Sequence, residues 1–222
     1  MSRSIVILQT SQVSSEVLKS LCRELMPDVK VYQIIDDSLL AETVENGSIT
    51  QGVMNRMYHY CRQAESIGAS AILNQCSSVG EAIDVIRPLI KIPIVKIDEA
   101  MARRAVQLGK KIAMIATVES TVGPSSRLIQ NEAEKMGREI ELEIRLVDGA
   151  MMKLMETGDQ ELHNRMVLGD VQAAAEKNVV VVLAQGSMIV MEPLLHSIPK
   201  PVLTSPRLGV SYLKEVIGGC ER

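Results

Sequence analysis

The sequence predicts an α/β fold made of two similar lobes, each with a parallel sheet covered by helices. Strand-like and helix-like segments alternate along the whole chain, which is typical of parallel sheets with helices on both faces. The apolar pattern of residues 4–10 returns at residues 111–117, an offset of 107 residues. Two apolar runs, residues 71–74 and 181–184, each break into small polar residues where a helix begins.

In the first half, short apolar or β-branched runs predict buried strands. These strands are residues 5–8, 30–35, 71–74 and 94–97. Apolar residues at helical spacing predict the helices between them, at residues 14–25, 49–68 and 78–86. Pro93 breaks the chain before the fourth strand, and Asp98 and Glu99 start the next helix, where acidic residues favour the helix dipole.

The second half repeats this order. Strands are predicted at residues 111–116, 141–146 and 179–184, and helices at residues 121–136, 149–156, 159–176, 188–196 and 208–216. Gly158 separates two of these helices, and a turn-rich stretch with Pro199, Pro201 and Pro206 precedes the last one.

The repeat suggests two lobes related by a pseudo-twofold axis, with a cleft between them. The segments around Cys76 and Gly186 are offset by 110 residues, close to the first offset. The alternative is that any two buried strands look alike. We predict a first lobe of residues 1–98 with 205–222 and a second lobe of residues 99–204.

The composition excludes several classes of function. The net charge of −3 is spread over 222 residues without a basic block, and Phe and Trp are absent, so nucleic-acid binding is not expected. The longest apolar stretch, residues 179–184, is too short to cross a membrane. The start of the chain lacks the pattern of a signal peptide. We expect a cytoplasmic protein.

No cofactor or metal is expected either. The chain has neither a glycine-rich nucleotide fingerprint nor a P-loop. Its four cysteines, Cys22, Cys61, Cys76 and Cys220, have no disulfide or metal-site spacing, and His59 and His196 do not cluster with other ligands.

Cys76 is the main catalytic candidate. It follows a predicted strand and precedes a helix start at Ser77 and Ser78. The unpaired N–H groups and positive dipole end of a helix stabilise a thiolate, so a lowered pKa is expected. The alternative is a buried small residue, as free cysteines commonly are, and a non-catalytic role is what we expect of Cys22, Cys61 and Cys220.

With this layout, the chain resembles the aspartate/glutamate/hydantoin racemase superfamily along nearly its whole length. The matching segments are NQCSSVGE at residues 74–81, IVKIDEAM at 94–101, Ala116-Thr117 with Ser120-Thr121, and LAQGSM at 183–188. The resemblance implies two flavodoxin-like lobes that face each other, each giving one cysteine to the cleft. It also implies a cofactor-independent acid/base pair of thiols acting on a carbon beside a carboxylate.

The chain departs from this family pattern at the second thiol. The family motif puts the second cysteine at Gln185, whereas the internal repeat aligns Cys76 with Gly186, and neither residue is a thiol. Glutamine cannot take a proton from carbon. The resemblance therefore implies an isomerase or racemase-like enzyme that works through Cys76. The alternatives are a decarboxylase-type lyase with one thiol as proton donor, and a non-catalytic ligand-binding protein.

Polar residues at the other strand ends are candidates for binding a small carboxylate substrate, since hydroxyls and free backbone N–H groups suit a carboxylate. Helix capping is the alternative for the Ser and Thr residues among them. These candidates are Gln9, Thr10, Ser11, Asn74, Ser77, Ser78, Thr117, Ser120, Thr121, Gln185, Gly186 and Ser187.

His163 is the candidate for a second proton donor, because neutral histidine exchanges protons near pH 7; a surface histidine is the alternative. Asp36, Asp37 and Ser38 either cap the next segment or reach the cleft, and Arg207 either offsets substrate charge or is a solvated surface residue. We also expect a homodimer or higher homo-oligomer.

Overall fold

The computed structural model describes residues 3–219, and they form two compact units. The first lobe comprises the described residues of Met1–Asp98 and Pro206–Arg222, and the second lobe comprises Glu99–Ser205. Each lobe contains one four-stranded sheet, and every strand pair in both sheets is parallel. The prediction of an α/β fold with two parallel sheets is therefore confirmed.

The strands follow the predicted order closely. They are β1 Ser4–Gln9, β2 Lys30–Ile35, β3 Ala71–Asn74, β4 Ile94–Lys96, β5 Lys111–Ala116, β6 Glu141–Leu146, β7 Val180–Leu183 and β8 Val202–Leu203. The first sheet has the order β2-β1-β3-β4 and the second β6-β5-β7-β8. Both orders begin like the 2-1-3-4-5 sheet of flavodoxin, in which ligands bind outside the carboxyl ends of the central strands.

The helices connect these parallel strands. They are α1 Ser15–Leu25, α2 Ser38–Asn46, α3 Gln51–Ser66, α4 Gly80–Ile86, α5 Glu99–Leu108, α6 Glu119–Lys135, α7 Ala150–Thr157, α8 Gln160–Lys177, α9 Glu192–Leu195 and α10 Ser205–Gly219. Short 3₁₀ helices occupy Ser77–Val79, Arg87–Leu89 and Gly186–Met191.

The central strands are buried on both faces. All six residues of β1 and all four of β3 and of β7 are buried. In the first lobe, Val6 and Ile72 on one sheet face pack into a cluster with Val53, Met57 and Cys61, which share one face of α3. A second cluster joins β5 and β7 to α8. Burial on both faces explains why these strands are continuous apolar runs rather than alternating ones.

Two elements, besides the 3₁₀ turn Arg87–Leu89, were not predicted. The strand β8 has only two residues and exists because Val202 and Leu203 pair with β7, a tertiary contact that leaves no periodicity in the sequence. The helix α2 begins straight after Asp36 and Asp37, and only Leu39 and Thr43 of its nine residues are buried. The predicted helices at residues 78–86 and 188–196 each begin with a 3₁₀ segment.

No helix within residues 3–219 combines the length and the apolar character that a membrane crossing requires.

Gly209 permits a close approach inside the first lobe. A Cβ atom added there would lie 2.3 Å from the carbonyl oxygen of Ile97 and 2.9 Å from its Cδ1. We expect Gly209→Ala to lower the free energy of unfolding by ~1–3 kcal/mol, the usual cost of overpacking, although alanine is the better helix former by ~1 kcal/mol. Urea denaturation measures the change.

Gly218 provides the matched control on the same helix, because nothing lies within 4 Å of an added Cβ atom. Gly218→Ala should leave stability unchanged or raise it. Equal effects of the two substitutions would contradict a tight contact between α10 and Ile97.

Candidate functional site

Cys76 lies at the carboxyl end of β3, where the buried strand turns into a short helix. Its backbone is extended (φ −103°, ψ 121°), and it caps the 3₁₀ helix Ser77–Val79. The strand before it is held in register by Leu8, which pairs with Asn74 and accepts a 2.9 Å hydrogen bond from the N–H of Gln75. The predicted position of Cys76 at a strand end is therefore what the structure shows.

Four hydrogen-bond donors surround the Cys76 sulfur. They are the hydroxyl of Thr10, the hydroxyl of Ser78, and the backbone N–H groups of Ser78 and Val79. Thr10 follows β1, the strand beside β3, so the parallel pairing of the two strands brings these residues together. The donors come from two strand ends and resemble an anion-binding turn, since each stabilises negative charge on sulfur.

Burial nevertheless raises the pKa of the Cys76 thiol above its ordinary value, and the four hydrogen bonds only reduce this increase. The residue is partly exposed, and the protein atoms around it desolvate the sulfur. The expectation of a lowered pKa is thus wrong for the ligand-free protein, because desolvation of a thiolate outweighs the donors. Cys76 rests as a thiol at neutral pH.

Three side-chain amides lie at the same edge of the first sheet. Asn74 donates from Nδ2 to the carbonyl oxygen of Cys76 (3.0 Å), which fixes the turn. Gln75 donates to Ser14 (3.4 Å), and Gln9 to Ser15 (3.4 Å). Gln9 is fully buried. Its direct contact with substrate stays a prediction. Ser11 and Ser77 are partly exposed.

Backbone pairing identifies the residue of the second lobe that is equivalent to Cys76. The N–H of Gln75 donates to Leu8 in the first lobe, and the N–H of Ala184 donates to Ile115 in the second, both at 2.9 Å. The residue after Gln75 is Cys76, and the residue after Ala184 is Gln185. Gln185 also caps a 3₁₀ helix, with φ −103° and ψ 136°. Of the two alignments left open by the sequence, the structure selects Gln185 over Gly186.

The amide of Gln185 contacts the end of β5. In the orientation that satisfies its neighbours, Oε1 accepts hydrogen bonds from the backbone N–H groups of Val118 (2.9 Å) and Thr117 (3.1 Å). The amide also approaches the hydroxyl of Thr121 at 3.4 Å. The structure therefore groups Thr117, Thr121 and Gln185, while Ser120, Gly186 and Ser187 lie nearby in sequence and are partly exposed.

His163 is not a surface histidine. It lies in the first turn of α8 and is 4% exposed. Its Nδ1 neighbours Gln160 (3.3 Å) and Asn164 (3.2 Å), both on the same helix, and its Nε2 is buried without a hydrogen-bond partner among the described residues. The structure places no other candidate site residue in contact with it through these hydrogen bonds. Its role as a proton donor stays a prediction.

Asp36 has a structural role. Its carboxylate accepts hydrogen bonds from the N–H of Ser38 (3.0 Å) and the hydroxyl of Tyr60 (2.8 Å) and so ties α2 to α3. Burial raises the pKa of Asp36, but these hydrogen bonds outweigh it and hold the pKa below the ordinary value. The capping interpretation agrees with these contacts. Arg207 pairs with Glu24 at 2.7 and 3.0 Å.

Two of the contributing groups were missed by sequence reasoning. They are the backbone N–H groups of Val79 and Val118, which belong to apolar residues and so carried no signal as side chains. The signal that could have found them is their place two to five residues beyond a buried strand, where main-chain donors lack a ladder partner. Within residues 3–219, no group of three His, Cys, Asp or Glu side chains is placed to hold a metal ion.

The cysteines are expected to differ in reactivity. Cys22 and Cys61 are fully buried, and burial raises their pKa values to about 11 and about 12. Iodoacetamide should modify Cys76 faster than either, because Cys76 is partly exposed. Its rate should still rise with pH past the ordinary thiol pKa of ~8.5, since its pKa is raised. Cys220 lies outside the described residues.

Thr10→Val tests the donors around the sulfur. Loss of a hydrogen bond to the thiolate should slow alkylation of Cys76 at pH 8 by about twofold to tenfold, from a contribution of ~0.5–1.5 kcal/mol. Ser77→Ala is the control, because Ser77 is not among the donors to this sulfur. Equal rates for Cys76 and Cys61, or a rate independent of pH above pH 7, would contradict this description.

Comparison with known proteins now identifies the family. A sequence search of curated proteins finds no match. Among solved structures, an allantoin racemase from Klebsiella pneumoniae superposes with a TM-score of 0.75 at 14% identity, covering 99% of this chain and 89% of that one.

Two further racemases are similar in structure. Aspartate racemase from Picrophilus torridus gives a TM-score of 0.71 at 15% identity, with 97% of this chain and 94% of that chain covered. Glutamate racemase from Francisella tularensis gives 0.74 at 12% identity, with 99% and 82% covered. At these identities the likeness shows the two-lobe fold. The family model for Asp/Glu/hydantoin racemases matches residues 5–213, and the chain therefore belongs to the Asp/Glu/hydantoin racemase family.

Proposed function

We propose that this protein is a cofactor-independent, racemase-like isomerase that acts on a small carboxylate-bearing substrate through Cys76. The observation that supports this most is the Cys76 thiol at a strand end, surrounded by four donors that can stabilise its thiolate. Family membership supports an isomerase, while the substrate and the role of the thiol are the proposal.

The chemistry of Cys76 follows from its surroundings. As a thiol it donates a proton to carbon; as a thiolate it removes one, and Thr10 with the N–H groups of Ser78 and Val79 then stabilises the charge. The carbon is the one beside the carboxylate, where removal of a proton gives an enolate. The raised pKa means that substrate binding must favour the thiolate when Cys76 acts as the base.

Substrate binding is assigned to the polar ends of the central strands. In the first lobe, Thr10, Ser11, Ser77 and Ser78 offer hydroxyl groups close to Cys76 in sequence or by contact. Hydroxyl and backbone N–H donors suit a carboxylate without adding a fixed charge. This proposal needs no metal or organic cofactor, because the thiol supplies the proton transfer.

The second lobe lacks an equivalent thiol. Gln185 occupies the position of Cys76 in that lobe, and an amide neither accepts nor donates a proton at neutral pH. Racemisation with two bases would therefore need another residue. His163 is the predicted donor, and the feature that supports this role is its buried Nε2, which has no hydrogen-bond partner among the described residues.

A lyase of the decarboxylase type is the second candidate, favoured by the combination of one protonated thiol with an amide at the second position. In that reaction the bond between carbon and the departing carboxylate breaks, CO₂ leaves, and the electron pair stays as an enolate. The S–H of Cys76 then gives its proton to carbon, and solvent restores the thiol. A single proton transfer suffices.

Reactions in D₂O distinguish the two candidates. With small amino acids, hydantoins and substituted malonates as substrates, we expect an isomerase to leave deuterium in recovered substrate, on the carbon beside the carboxylate or, in a hydantoin, beside the ring carbonyl. A lyase instead releases CO₂ and leaves one deuterium in the product. Cys76→Ser should abolish either activity, by at least ~10²-fold as for removal of a general acid or base. Mass spectrometry and NMR provide the readout.

Cys22→Ala is the control in this experiment, because Cys22 is buried in α1 away from the strand ends. It should retain turnover. Turnover by the Cys76→Ser protein would refute a catalytic role for the thiol. Efficient racemisation in both directions by the unmodified protein would require a second base, and loss of that activity in His163→Gln would assign it.

A thiol introduced at Gln185 tests the equivalence of the two strand ends. Gln185→Cys should produce or increase racemisation of an amino acid or hydantoin, as detected by polarimetry or chiral chromatography. The gain should stay below the ~10²–10⁴-fold of a well-placed acid or base, since an introduced group is seldom optimally positioned. Gly186→Cys is the matched control, and a larger gain there would overturn the equivalence.

A further inference from the structure

We propose that the side chain of Gln185 occupies, and so closes, an anion-binding position of the second lobe. A ligand would then contact this lobe with an uncharged oxygen acceptor rather than with a carboxylate. The inference concerns specificity. Its consequence for a substrate rests on the proposed function, but its test needs no turnover.

The closed position consists of two consecutive backbone donors. The N–H groups of Thr117 and Val118 follow β5, and Val118 caps α6, a helix of 17 residues. Consecutive N–H groups at the start of a long helix attract anions through their own dipoles and that of the helix. Both donors instead hydrogen bond to Oε1 of Gln185, at 3.1 and 2.9 Å.

A second observation at the same place is a buried polar atom without a partner. The Thr117 side chain is 7% exposed, and its hydroxyl is buried without a hydrogen-bond partner among the described residues. A buried hydroxyl without a partner costs free energy. The glutamine therefore satisfies the two main-chain donors but leaves one polar atom beside them unsatisfied.

The comparison of the two lobes explains why the glutamine has this effect. Cys76, at the equivalent position of the first lobe, has a side chain that ends at sulfur and contacts the Thr10 hydroxyl. Gln185 is longer by an amide group, and this group contacts the backbone of Thr117, which follows β5 as Thr10 follows β1. At this position the second lobe thus has an amide instead of a thiol, and the amide oxygen accepts hydrogen bonds from both main-chain donors.

The amide also changes what the lobe offers a ligand. With Oε1 engaged by two donors, the remaining group of Gln185 is its –NH₂, which only donates hydrogen bonds. A neutral –NH₂ donor stabilises a negative charge less than the N–H groups and the dipole at the start of a helix do. A carbonyl oxygen of an amide, ureide or ester is the chemical class that fits this position.

Acetate, titrated at constant ionic strength with sodium chloride, is the probe for the donor pair. Amide resonances of Thr117 and Val118 should show no saturable shift in the unmodified protein. In Gln185→Ala they should shift saturably, with affinity for acetate raised about tenfold or more, the change expected when a competing interaction of ~1.4 kcal/mol is removed. Acetamide should not reproduce this effect.

Two other variants keep the result interpretable. Gln185→Glu retains an acceptor for both N–H groups, so it should bind no acetate at this position. Gln75→Ala removes a strand-end glutamine that contacts Ser14 instead, so the Thr117 and Val118 resonances should behave as in the unmodified protein.

The hydrogen bonds themselves can be measured without any substitution. Scalar coupling between the amide nitrogens of Thr117 and Val118 and the side-chain carbonyl carbon of Gln185 should be detectable by NMR. Absence of this coupling, saturable acetate binding by the unmodified protein, or no gain in Gln185→Ala would each overturn the inference. None of these outcomes depends on whether Cys76 is catalytic.

Discussion

Parallel pairing of the central strands is the constraint on which the rest of the structure depends. Because β1 and β3 run in the same direction and pair in register, their carboxyl ends lie side by side. The same holds for β5 and β7. Strands buried on both faces are apolar over most of their length, and polar groups concentrate where the ladder stops. This pairing brings Thr10 next to Cys76 and Gln185 next to Thr117.

The strand ends of the two lobes differ in how they treat negative charge. In the first lobe, hydroxyl and N–H donors converge on a sulfur that burial keeps protonated. Desolvation and hydrogen bonding therefore oppose each other at Cys76, which suits a group that must hold and release a proton. In the second lobe, a neutral amide accepts from the main-chain donors. The charge that the second lobe could have stabilised is replaced by an internal hydrogen bond.

This asymmetry bears directly on the reaction. A pair of thiols at equivalent strand ends would allow proton removal and return from two groups, whereas this chain has a thiol and an amide at those positions. The proposed isomerase and the alternative lyase differ in how many proton transfers they need. The protonated state of Cys76 is compatible with both, since each includes a step in which the thiol gives a proton to carbon.

The sequence by itself determined the class of fold, the bounds of most strands and the place of Cys76 at a strand end. Apolar runs, breaks and helical spacing are local properties, so β1, β2, β3 and β5 fall within a residue of their predicted bounds. The sequence also indicated the family, because the matching segments lie in order along the chain.

Only the tertiary structure decided which residue of the second lobe is equivalent to Cys76. The first strands of the lobes are offset by 107 residues, from Leu8 to Ile115, but the third strands are offset by 109, from Gln75 to Ala184. Connections of different length shift the offset, and only backbone pairing fixes the register. The pKa of Cys76 and the partners of the Gln185 amide likewise depend on burial and on contacts between distant segments, which no local pattern encodes.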